Sequence, residues 1–220
     1  MKKILVILMA ALFVLPMTGV STIEAQSVYA KQLEKMRKKE FKLKMKELSK
    51  EGWKVYGMSK PIETALLEHY EELFQKGDAV YELVGIAYNF KSPNAGKVTA
   101  RNSAAAAYAE SAKSYMEGRL VSEVGTDAIN EDREFDNLYG AYQRLVASEI
   151  NGQLKESFTV IRDLGNGKKE MQVFFIVDQE AATKARLRAM ELAFQETQMA
   201  QKHAEQVSKF IREGFNNDYK

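Results

Sequence analysis

Residues 158–177, FTVIRDLGNGKKEMQVFFIV, decide the fold. Two apolar-rich runs, Phe158–Asp163 and Met171–Val177, flank Leu164-Gly165-Asn166-Gly167-Lys168. Glycine and asparagine tolerate the positive φ that a tight turn demands, so this connection has hairpin chemistry and the runs read as antiparallel strands. Val173-Phe174-Phe175-Ile176-Val177 is apolar on both alternating faces, which predicts a central strand or one covered on both sides.

Upstream, Val80–Phe90 (VYELVGIAYNF) and Trp53–Met58 (WKVYGM) have the aromatic and β-branched content of further strands. Helical periodicity fills the intervals. Ile62, Leu66, Leu67, Tyr70, Leu73 and Phe74 recur at helical spacing between Pro61 and Gly77. Ser92–Gly96 reads as a turn, after which residues 97–124 form a long helix. Its small residues Ala105, Ala109 and Ala112, with Met116 and Leu120, let the axis approach a sheet closely. Gly125-Thr126-Asp127 breaks that helix, and Asp132–Ser148 forms another around Phe135, Leu138, Tyr139, Tyr142, Leu145 and Val146. From Asp178 a last helix runs to about Glu213, with Ala200, Ala204, Val207 and Ile211 as its distal stripe and residues 195–220 as its polar end. The pattern predicts an α+β domain over residues 51–194: an antiparallel sheet of about four strands, long helices on one face, and extended helices at both ends.

At the N-terminus, Lys2 and Lys3 precede twelve apolar residues, Ile4–Leu15, before Pro16. The run has the length of a signal-peptide core and falls short of the ~20 residues a membrane span needs. Small Ala25, with Ile23 two before it, places cleavage between Ala25 and Gln26, so residues 1–25 read as a signal peptide and the chain as exported to the periplasm or envelope. With no cysteine, the chain carries neither a disulfide nor a lipid on a cysteine following the signal. Loss of residues 1–25 lowers the formal charge from +2 to +1, which argues for no particular partner and against nucleic acid.

Residues 26–50 read as a basic amphipathic helix. Lys31, Lys35, Lys38, Lys39, Lys42 and Lys46 gather on one side, with Leu33, Met36, Phe41, Leu43, Met45 and Leu48 assigned to the other. Such a stripe suits peripheral contact with an anionic surface, and it equally suits a helix packed on the domain with a solvated lysine side. The second is preferred, because Arg37 and Lys44 interrupt the apolar side.

No constellation for catalysis stands out. Cysteine chemistry is excluded, and a serine triad needs a histidine, of which the chain has two, His69 and His203. Both look like surface or boundary residues on helices, without zinc-site spacing. The acidic run Asn130–Asp136 departs from the calcium-loop pattern and suits a helix N-terminus. Gly165–Lys168 is followed by a strand, whereas a phosphate loop is followed by a helix. Tyr81, Tyr88, Phe90, Tyr108, Tyr115, Tyr139 and Tyr142 lie mostly at core-like spacings. No catalytic residue, metal ligand or cofactor site is therefore expected.

The order of Val55-Tyr56-Gly57, the alanine-rich Ala104–Leu120 with Ala112 and Arg119 near its end, Phe158–Asp163 and Gln172–Val177 resembles the LPP20-type domain of bacterial envelope proteins, over roughly Trp53 to Phe194. Many members are lipoproteins, which the absence of cysteine contradicts here. The resemblance carries no catalytic residues. Long helices with apolar stripes and the lack of a reactive constellation point to a non-enzymatic envelope component that self-associates or binds another envelope protein through its long terminal helices. The alternative is a small-molecule or glycan binding module with Trp53, Tyr56 and Tyr88 around a pocket.

Overall fold

A computed structural model describes residues 22–124 and 134–197. The chain divides into two units, Met1–Lys42 and Leu43–Lys220. In the first, the described residues are helical and belong to α1 (Thr22–Lys50), where Lys38 reaches Glu34 one turn earlier at 2.5 Å.

The second unit contains the end of α1, then β1 (Lys54–Val55), α2 (Ile62–Lys76), β2 (Val80–Phe90), α3 (Pro93–Val124), α4 (Glu134–Asn151), β3 (Lys155–Gly165), β4 (Lys168–Asp178) and α5 (Gln179–Glu196). The sheet is antiparallel in the order β1-β3-β4-β2, an α+β arrangement. β3 and β4 join through Asn166 and Gly167, at φ 53° and 70°, the pair of positive angles that matches a two-residue turn to strand twist.

β4 is interior, as its two apolar faces predict. Met171, Val173, Phe175 and Val177 pack with Ala87, Ala100, Ala104, Ala105, Ile150, Leu154 and Ala182 on the α3 side. Beyond them α3, α4 and α5 share a second core, built on Ala109, Met116, Leu138, Tyr142, Val146, Ala189 and Phe194. Phe174 points the other way, opposite Phe158 across the ladder, and their rings stack at 4.3 Å. His69 of α2 meets both rings edge-on, and Lys44 near the end of α1 lies over Phe174 at 5.5 Å. The sheet is thus covered on both faces, not on one as the helix lengths suggest, because α2 and the last turns of α1 are needed to hide the second apolar face of β4.

Several boundaries move. β1 is only two residues long, since Gly57 at φ 79° turns the chain away after Tyr56 N–H donates to Thr159 O at 2.9 Å. Ser92–Gly96 opens α3 instead of forming a separate turn: Pro93 tolerates the first helical turn, and Gly96 N–H already donates to Ser92 O at 3.0 Å. α5 stops at Glu196, where Thr197 is extended at φ −116° and ψ 159°. The expected break at residues 125–127 and the stripe from Ala200 lie outside the described residues. Arg101 closes α4 by donating to Asn151 O at 2.7 Å, a cation on a carbonyl that a helix end leaves unpaired, and to Leu154 O just before β3 at 2.9 Å.

α3 rests on β2 at Gly85, where a Cβ would stand 2.0 Å from the backbone oxygen of Ala100. Gly85→Ala should therefore cost about 2 kcal/mol or more, since backbone has to shift. Gly118→Ala, with nothing within 4 Å, should be neutral or stabilising by up to ~1 kcal/mol. Urea unfolding of the two variants checks the contrast.

Candidate functional site

His69 is fully buried, which corrects its placement at the surface or boundary. Seen along α2 alone it neighbours Glu68 and Tyr70. Only the sheet supplies Phe158, Phe174 and the Glu82 carboxylate, whose Oε2 lies 2.5 Å from Nε2. Nδ1 is buried without a hydrogen-bond partner among the described residues. A histidine held by a carboxylate is the base half of a hydrolytic triad, but the nucleophile half requires a hydroxyl on the second ring nitrogen. Here aromatic rings occupy that surrounding, and the pair ties α2 to β2. His203 lies outside the described residues.

A second polar cluster closes the β1 side of the sheet. The two-residue turn sets Arg162 opposite Glu170 in the ladder, and Arg162 Nε donates to Glu170 Oε2 at 2.7 Å. Its Nη1 donates to Glu51 Oε2 at 2.7 Å, and the guanidinium lies 4.5 Å from the Trp53 ring, whose Nε1 also donates to Glu51 at 3.1 Å. Glu170 is only 3% exposed, so its charge is tolerated because Arg162 answers it. This cluster was readable in part: the Asn-Gly turn fixes which residues of the two strands face each other.

Trp53 is capped by Arg162, Tyr56 is half-buried against the core on the α3 side, and Tyr88 is 60% exposed on β2. β1 and β2 are opposite margins of the sheet, so these three aromatics do not surround one pocket. Tyr88 also departs from the core placement its spacing suggests. Tyr139 and Tyr142 do lie in the core. Burial, with Glu117 and Asp136 nearby, pushes the Tyr139 phenol up to about 12, and burial pushes Tyr142 up further, Arg186 opposing it. Both therefore stay protonated at neutral pH, which removes them as bases.

Two open grooves lie among the described residues. One of about 660 Å³ runs along α2, where Glu72 accepts from Lys76 at 2.8 Å and from Lys155 at 2.7 Å, and Gln75 donates to Glu71. Another, of about 330 Å³, lies by Asn94, Lys97, Arg101 and Glu156. In the first, Glu72 is held by Lys76 and Lys155, and in the second Lys97 pairs with Glu156 at 2.8 Å. Among the described residues no group of three or more His, Asp or Glu side chains is placed to hold a metal ion. Of the acidic run, Asn130–Arg133 lie outside the described residues and Asp136 is exposed on α4. No described helix is long and apolar enough to cross a membrane.

Lys31, Lys35, Lys38, Lys39, Lys42 and Lys46 are all exposed on α1. The apolar side assigned opposite them divides, since Leu48 is buried while Met36 and Leu43 are 59% and 58% exposed. A 100° step separates Leu43 from Leu48 by over a third of a turn, so no single face contains both. Ala25 and Gln26 fall in the backbone of α1, and their side chains are not described. Compared with protein-family models, curated proteins and solved structures, the chain matches none.

Lys155 and Lys76 beside Glu72 hold its carboxyl below the usual range. A carboxylate with a lowered folded pKa contributes stability above its unfolded pKa and loses it as pH falls through the folded value. The stability of Glu72→Gln should therefore lie below that of the original chain at pH 7 and converge with it below about pH 4. Unfolding curves at several pH values measure the difference.

Proposed function

We propose that the chain is an exported envelope protein that works by contact, as an assembly or interaction component, with an LPP20-like organisation and no catalytic centre. The observation that carries this reading is an open apolar side chain beside a lysine on α1 in each unit. In the first unit Met36 is 59% exposed with Lys39 three residues on, and in the second Leu43 is 58% exposed with Lys46 three residues on, spacings that make each pair neighbours on the helix surface. Apolar residues framed by lysines suit a partner surface with an apolar centre and an acidic rim. The remaining lysines, Lys31, Lys35, Lys38 and Lys42, extend the basic side and would strengthen peripheral contact with an anionic envelope surface.

Cell fractionation with sequencing of the mature N-terminus should find the chain in the envelope, beginning at or near Gln26. Crosslinking there should capture a partner or a second copy, and Met36→Asp with Leu43→Asp should reduce the yield at least tenfold while the helical circular dichroism is kept. A cytoplasmic chain with its N-terminus intact, or a monomer that captures nothing, would sink the reading.

A further inference from the structure

β2 is the outermost strand on its side of the sheet. Its inner side runs in continuous register with β4 from Val80↔Asp178 to Ala87↔Met171, and among the described residues no strand pairs with its outer side. An unpaired strand presents a row of N–H and C=O groups that fit another strand. Stable domains blunt such margins with lysine, proline, bulges, short length or a covering element. The opposite margin is blunted in this way. β3 carries Lys155, Glu156, Arg162 and Asp163, its register shifts twice, and β1 covers part of it. β2 has eleven residues with no lysine and no proline, and Glu82 is its single charge. Its one register shift comes at the far end, between Ala87 and Phe90, where Asn89 has φ 57°.

We propose that this margin is occupied by β2 of a second copy, antiparallel, with the two-fold axis at Gly85. An antiparallel pair sets residues of equal distance from the axis opposite each other and on the same face. Val84 then faces Ile86 of the copy, an aliphatic pair, and Glu82 faces Tyr88. Centring the axis on Val84 instead would set Glu82 against Ile86, a charge against an aliphatic side chain. With Gly85 at the axis the two Glu82 carboxylates stay far apart, and each keeps its His69 partner. The same register covers what this row leaves open: Val84 and Ile86 are only half-buried, and Tyr88 is 60% exposed. The two sheets would join into one of eight strands. This deepens the assembly reading by naming a partner, and it rests on residues other than the exposed ones of α1.

The absence of cysteine makes single-cysteine variants of the full chain clean reporters. Light scattering of the mature protein should give twice the mass of a single mature chain. An equal mixture of Val84→Cys and Ile86→Cys chains, treated with a mild copper–phenanthroline oxidant, should form a disulfide-linked dimer at least tenfold more than either chain alone. Ile86→Lys should halve the mass, keep the circular dichroism and expose β2 amides to hydrogen exchange. A monomeric original chain overturns the pairing, and if its β2 amides are nonetheless protected, a segment of the same chain covers the margin. A dimer that neither crosslinks in the mixture nor responds to Ile86→Lys overturns it as well. Capture of a different envelope protein by a monomeric chain sinks the pairing and leaves the assembly reading standing.

Discussion

The second unit is organised by the need to bury both faces of β4. Val173-Phe174-Phe175-Ile176-Val177 sends large apolar side chains to each side of the sheet, and all five are at most 3% exposed. Burying one such side chain is worth roughly 1.5–3 kcal/mol, so leaving either face to water would forfeit much of a net stability of about 5–15 kcal/mol. Two cover layers are therefore required, and the strand must sit inside the sheet. That position in turn needs antiparallel neighbours on both sides, which β3 supplies through the Asn166-Gly167 turn and β2 by returning from the α2 side.

The two covers solve the packing differently. On the α3 side the backbone of a helix comes down onto the sheet, which only small groups permit: Ala100 and Ala104 are at most 1% exposed, and Gly85 supplies the missing Cβ beneath them. On the other side α2 covers the sheet through rings. The stacked Phe158–Phe174 pair, the edge of His69 and the Lys44 ammonium over Phe174 together add on the order of 1–3 kcal/mol beyond area burial. His69 suits that position because its body is apolar enough for two phenylalanines while Nε2 reaches the Glu82 carboxylate near the rim of the sheet.

What could be read from the residues follows from the range of the forces involved. The hairpin was legible because turn geometry is local, and the central position of β4 because two-faced hydrophobicity is a property of one strand. The burial of His69 was not, since its partners Phe158, Phe174 and Glu82 come from three strands that α2 alone does not reveal. Dividing α1 into two sides placed Leu43 with Leu48 on the apolar one. The helical angle sets the two over a third of a turn apart, and burial follows the angle. Helix length misled in the same way, since long helices suggested the main cover on one face while a fifteen-residue α2 covers the other. For the site, sequence pointed to aromatics at Trp53, Tyr56 and Tyr88, and the strand order separated them. Strand order depends on long-range pairing that no local pattern encodes.

The two margins of the sheet also differ in what a newcomer would displace. At β3, an arriving strand meets Arg162 bridging Glu170 and Glu51 beneath Trp53. Pulling Arg162 away would leave Glu170 buried and unanswered, a loss of about 3–5 kcal/mol by the usual cost of breaking a buried pair. β1 would also have to give up its rungs at Val160 and Ile161. At β2, among the described residues, nothing comparable stands in the way: Glu82 is engaged with His69 on the α2 side, and the strand's remaining side chains are uncharged. The closed margin also anchors the segment that follows α1, through Glu51 and Trp53. Chain connection and charge thus fall together on one side of the sheet, and among the described residues no strand pairs with the backbone on the other.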